Sequence, residues 1–127
     1  MSNALQIIQK KINAIQLGLL RFRSKDSNVS LQVKATAGSG DYCFECITED
    51  EVKGLHNKQV RLVQKYKDDY IYITGKVESV IRNKKTVISI AILKACWFVR
   101  ASEGSMTWLE EKQVFEKRPD SSLRMAS

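Results

Sequence analysis

Val29-Ser30-Leu31-Gln32-Val33-Lys34-Ala35-Thr36-Ala37 alternates apolar and polar residues without a break. Successive side chains of a β-strand point to opposite faces, so this stretch has one apolar face and one carrying Ser30, Gln32, Lys34 and Thr36. A helical period would mix the two sets. The stretch predicts a half-buried strand. Gly38-Ser39-Gly40-Asp41 follows it directly and reads as a hairpin turn. The return strand is then expected at Tyr42 to Ile47.

Upstream, Ser24 to Asn28 is a polar turn, and Leu19 to Arg23 predicts a short strand. Before it, Leu5, Ile8, Ile12 and Ile15 recur at helical spacing, which predicts an amphipathic helix over Ala4 to Gln16. Ser2 or Asn3 is its expected cap, and Gly18 its expected stop. Downstream, Thr48 and Glu51 have the spacing of a capping box. A short helix is expected there, burying Val52 and Leu55 and ending at His56-Asn57-Lys58. Further strands are expected at Gln59 to Tyr66, Tyr70 to Ile81 and Thr86 to Val99. The last of these is apolar on both faces, which places it centrally or at an interface. Trp97 and Phe98 fall on opposite faces of it, so a homodimer contact is expected at one of them. Ala101 to Ser105 reads as a loop, and Met106 to Lys117 fits either a helix or a final strand. Residues 1–118 are read as one domain, and 119–127 as a polar C-terminal tail that opens on the lone proline, Pro119.

The expected fold class is therefore mainly β, of the α+β kind. It is a six-stranded antiparallel split β-barrel with an N-terminal helix and a short helix between strands three and four. The length, 127 residues, suits one domain with its own core. No apolar run is long enough for a membrane span, and the N-terminus lacks a signal-peptide pattern, so a cytoplasmic location is expected. The odd count of three cysteines, Cys43, Cys46 and Cys96, argues against a disulfide framework. Cys43 and Cys46 lie three apart on a strand, hence on opposite faces, and no second pair completes a zinc site. The formal net charge of +7 favours anionic partners.

The order of elements resembles the pyridoxamine 5'-phosphate oxidase-like family of FMN-binding split barrels, over roughly residues 5 to 100. The resemblance rests on the helix leading into Leu19 to Arg23 and on Leu31-Gln32-Val33-Lys34. It rests also on the aromatic strand Tyr42 to Thr48, on Glu51-Val52-Lys53-Gly54-Leu55, and on Val60-Arg61-Leu62-Val63 paired with a strand through Gly75. It implies a flavoprotein, an FMN-binding homodimer with oxidoreductase chemistry carried by the flavin ring. By the same resemblance Lys34, Thr48 and Lys53 are the candidate cofactor-binding residues, and a small phosphorylated cofactor is the expected ligand. Where the family carries a serine and a basic residue, this chain has Glu49-Asp50-Glu51.

Each candidate also has a plainer reading. Lys34 fits a solvent-facing strand position, Thr48 a helix cap, and Lys53 an exposed helix surface. His56 is the only histidine, and its place at a helix end suits dipole stabilisation. Two alternative functions stand beside the flavin reading. One is a cofactor-free split-barrel binding protein, favoured by the acidic turn. The other is a small OB-type barrel that binds nucleic acid, suggested by the charge and by Tyr66, Tyr70 and Tyr72 among lysines. No metal site is expected, and catalytic residues are not indicated.

Overall fold

The computed structural model describes residues 3–38, 40 and 42–117. Its elements are helix α1 (Asn3–Ile15) and strands β1 (Leu17–Ser24), β2 (Ser27–Ala37), β3 (Cys43–Thr48), β4 (Gln59–Tyr66), β5 (Asp69–Asn83), β6 (Lys85–Glu103) and β7 (Met106–Glu116). The sheet order is β3-β2-β1-β4-β5-β6-β7, and β3 also pairs with β6, so six strands close into an antiparallel barrel with β7 as an extra edge. All pairings are antiparallel. A ring closed this way needs an even number of strands, so the five-stranded OB arrangement is not the one adopted.

Tight hairpins set the register. Ser24 pairs with Ser27, Tyr66 with Asp69, Asn83 with Lys85 and Glu103 with Met106. Lys25, Lys67, Lys84 and Gly104 take positive φ at these turns, as short hairpin loops require. The alternation read from Val29 to Ala37 holds: Val33 and Ala35 are buried, whereas Gln32 and Lys34 are exposed.

β6 is the axis of the molecule. Its first part, Thr86 to Ala91, pairs with β3, and its second part, Lys94 to Glu103, pairs with β7. β5 runs along its other edge from Lys85 to Val99. This answers the two-sided apolar pattern: Ile88, Ile90, Ile92 and Ala95 are buried in the barrel, and the other face is half-buried or exposed. Residues 101–103, expected as loop, extend β6, and Met106–Glu116 is strand, not helix. The polar tail at 119–127 lies outside the described residues.

Helix α1 packs its Leu5, Ile8 and Ile12 into the common core. Asn13 Oδ1 accepts the Ala37 amide at 2.9 Å and Gln9 Nε2 donates to the Cys43 carbonyl at 3.4 Å, which fixes the helix across the ends of β2 and β3. The helix stops at Gln16, which takes φ 64°. Gly18 is therefore not the helix stop; it lies in β1, opposite Val33. A Cβ there would stand 2.8 Å from Gln64 Cγ and 2.9 Å from the Val63 carbonyl oxygen. The glycine is needed for close approach of β4, not for the turn.

The short helix expected after Thr48 does not form. Arg82 donates to the Glu49 carbonyl at 2.9 Å, and Thr86 Oγ1 donates to the Asp50 carbonyl at 2.6 Å. Those carbonyls would have begun the helical ladder. Gly54 at φ 73° breaks any helical path further on. Thr48 does accept the Asp50 amide, at 3.3 Å, but as a turn and not as a helix cap. Leu55 is fully buried and Val52 partly so, and the two anchor the loop on the core. No described helix is long and apolar enough to cross a membrane.

Candidate functional site

β1 and β4 pair over three rungs only, Leu19↔Val63, Leu20↔Leu62 and Arg21↔Arg61. β1 continues to Ser24, and β4 begins at Gln59. Beyond Arg21 and Arg61 the two strands part, and a groove of about 670 Å³ opens between them. Val29 and Val63, both half-buried, contribute apolar surface, while Arg21, Arg23, Arg61, Ser30 and Thr74 supply polar groups.

Strand alternation places the arginines. Leu20 and Phe22 turn into the barrel, so Arg21 and Arg23 turn outward; Val60 and Leu62 turn inward, so Arg61 turns outward. The register then sets Arg61 opposite Arg21, Ser30 on the far side of Arg21 and Thr74 on the far side of Arg61. The ion pairs among the described residues lie elsewhere, at Lys11–Asp69, Lys53–Glu51, Lys85–Glu49 and Lys112–Glu110. Among the described residues no carboxylate pairs with Arg21, Arg23 or Arg61. Lys58 Nζ donates to the Arg23 carbonyl at 2.5 Å and adds a fourth cation at the split. Tyr72 also lines the groove, 37% exposed, with Phe98 edge-on at 5.8 Å.

The residues singled out from the sequence lie apart from this groove. Lys34 is exposed on the outer face of β2, in register with Ile47. Thr48, the next residue along β3, is turned to the opposite face and buried. Lys53 is exposed in the 49–58 loop and pairs with Glu51 at 3.8 Å. The structure does not bring the three together. His56 is exposed in the same loop. Of the tyrosines, Tyr66 is exposed at the β4–β5 turn, whereas Tyr70 is buried beneath Lys65 and Arg100. Trp97 donates its indole N–H to Asp69 at 2.8 Å and lies beneath Lys11.

Cys43 and Cys46 stand on opposite faces of β3, as alternation requires. Burial pushes the Cys46 thiol up to about 12, so it stays protonated and inert near neutrality. Burial likewise raises Cys96, with Lys94 opposing and Glu111 and Glu116 adding to the shift. Among the described residues no group of three His, Cys, Asp or Glu side chains converges to hold a metal ion.

The alternation around Arg21, Arg23 and Arg61 is visible in the sequence. Their convergence depends on β1 meeting β4, a contact between strands that are not consecutive. No protein-family model matches the chain, and no curated protein matches it.

Proposed function

We propose that this barrel is a binding protein for phosphate-bearing ligands, held in the groove where β1 and β4 part. One observation carries the reading: Arg21 and Arg61 stand directly opposite each other without a carboxylate partner among the described residues. Like charges facing each other across an antiparallel ladder are destabilising. An anion between them reverses the sign of that interaction. Guanidinium groups match phosphate oxygens two at a time, and the Ser30 and Thr74 hydroxyls lie in the same row to complete the contacts. The half-buried Val63 and the exposed Tyr72 ring, on the same face as the arginines, suit an organic portion beyond the phosphate.

FMN belongs to this ligand class, and the split-barrel resemblance makes it the first compound to test. The reading needs binding groups only and assigns no catalytic side chain. Calorimetric titration of pyrophosphate and of FMN into the wild type, Arg61→Gln and Lys34→Ala distinguishes the sites. A charge-assisted hydrogen bond contributes roughly 1.5–3 kcal/mol, so Arg61→Gln is expected to weaken binding about 10- to 100-fold, with Lys34→Ala unchanged. Equal affinity in wild type and Arg61→Gln refutes the groove as the site. Loss in Lys34→Ala alone assigns the ligand to the position implied by the resemblance.

A further inference from the structure

The groove is one end of a larger basic face. The cross-strand register continues from Arg21 and Arg61 through Thr74 to Lys94 on β6. Two residues along, Val63, Tyr72 and Cys96 form the next row on the same face, followed by Lys65, Tyr70 and Phe98. Tyr72 is the exposed ring in the middle, and Phe98 supports it edge-on. On its far side Lys65 and Arg100 sit over the Tyr70 ring, at 5.4 and 5.6 Å from its centre. Cations therefore flank an accessible aromatic ring on two sides, Arg21, Arg61 and Lys94 in one row and Lys65 with Arg100 in the other. The acids in register with this face, Glu111 beside Phe98 and Glu116 beside Lys94, belong to β7 and bound it there.

A small phosphate compound occupies one of these rows. A polymer occupies both. Resting on the phosphate-binding reading, we infer that a single-stranded nucleic acid lies across the outer face of β1, β4, β5 and β6, with a base stacked on Tyr72 and phosphates on the two cationic rows. Aromatic stacking between tracks of positive charge is how unpaired strands are held without sequence preference. The four strands span three inter-strand spacings, roughly 14 Å. That width suits a few nucleotides, the low end of the roughly 4–16 that a small barrel covers. The net charge of +7 acts in the same direction at long range.

The test is fluorescence anisotropy with a fluorescein-labelled thymidylate dodecamer and with its duplex, using the full chain. The expected result is binding of the single strand in preference to the duplex. Each released phosphate contact contributes about −0.7 to the logarithmic salt slope for single strands. Three to four contacts then weaken binding about 20- to 50-fold between 50 and 200 mM salt. Tyr72→Ala and Arg61→Gln are each expected to lower affinity at least about fivefold, with Lys112→Ala on β7 unchanged; loss of one stacked base, roughly 1–3 kcal/mol, sets that scale. Equal binding of the duplex, or undiminished binding by Tyr72→Ala and Arg61→Gln, overturns the inference. If the dodecamer fails to bind while pyrophosphate still binds through Arg61, the polymer inference falls and the phosphate-binding reading stands. If neither binds, both fall.

Discussion

Arg21 and Arg61 face each other across the last rung of the β1–β4 ladder, in direct register. The first prediction concerns stability. Removing one charge relieves a repulsion of the order of 0.2–1 kcal/mol. Arg61→Gln is expected to raise the melting temperature by roughly 1–4 °C in the absence of ligand while weakening pyrophosphate binding. Calorimetric scans with and without pyrophosphate check both effects. A variant that melts lower than wild type without ligand would show that the arginine pair does not cost stability.

Gly75 tests a close approach between β5 and β6. It lies at a register shift between β5 and β6. A Cβ there would stand 2.4 Å from Ile90 Cγ2 and 2.5 Å from the Ala91 carbonyl oxygen. Neither neighbour is the free end of a long side chain, so Gly75→Ala is expected to cost about 1–3 kcal/mol. Urea unfolding measures it; a cost below about 0.5 kcal/mol would mean that the strands shift freely there.

Gln64 is fully buried, and neither end of its amide has a hydrogen-bond partner among the described residues. A buried amide without partners costs roughly 1–3 kcal/mol. Gln64→Met keeps the length and removes the polar atoms, so the variant is expected to be more stable by a similar amount. Denaturant midpoints for the two proteins decide the matter, and a less stable variant counts against it.

The Cys46 thiol has a usual value of 9.0, which burial pushes up to about 12. The unfolded chain therefore loses this proton near pH 9 while the folded chain keeps it. Between these values the unfolded state binds fewer protons, so stability falls as pH rises. The slope is at most about 1.4 kcal/mol per pH unit from this group, and burial of Cys96 acts in the same sense. Cys46→Ala is expected to flatten the alkaline decline between pH 9 and 11. Urea midpoints that fall equally steeply in wild type and variant would assign the decline to other groups.

Assembly gives the last prediction. Trp97 is engaged within the chain by Asp69 and Lys11. A cluster of exposed apolar residues lies further out, on β7, at Met106, Trp108 and Leu109. A homodimer seated on this ribbon is expected, and Trp108→Lys is expected to convert it to the 14.5 kDa monomer. Light scattering at tens of micromolar, on the order of the affinity of ordinary weak dimers, gives the mass. A wild-type monomer at that concentration refutes the expectation.

The strands were legible because their burial follows local alternation, as in Val29 to Ala37 and in Ile71 and Ile73. Helix α1 was legible from the spacing of Leu5, Ile8 and Ile12. The Thr48 to Leu55 segment misled because its capping box is a local signal, whereas the carbonyl partners Arg82 and Thr86 come from distant strands. Met106 to Lys117 was ambiguous for a different reason. Trp108 and Leu109 are adjacent, and both are exposed, so burial imposes no period on that stretch. The Arg21–Arg61 pairing was hidden because each arginine looks like an ordinary outward residue until β1 and β4 meet.

The exchange of partners along β6 divides one continuous strand into two mechanical regions. Residues 86–91 are sealed between β3 and β5, and breaking them opens the barrel. Beyond Lys94 the strand shares its outer edge with β7, whose far edge carries no further strand among the described residues. The two ends of β6 can thus exchange their amide hydrogens at rates set by separate openings. Fraying that begins at the β7 edge can stop before Ala91, so the ribbon can be remodelled by whatever seats on it while the arginine groove keeps its shape.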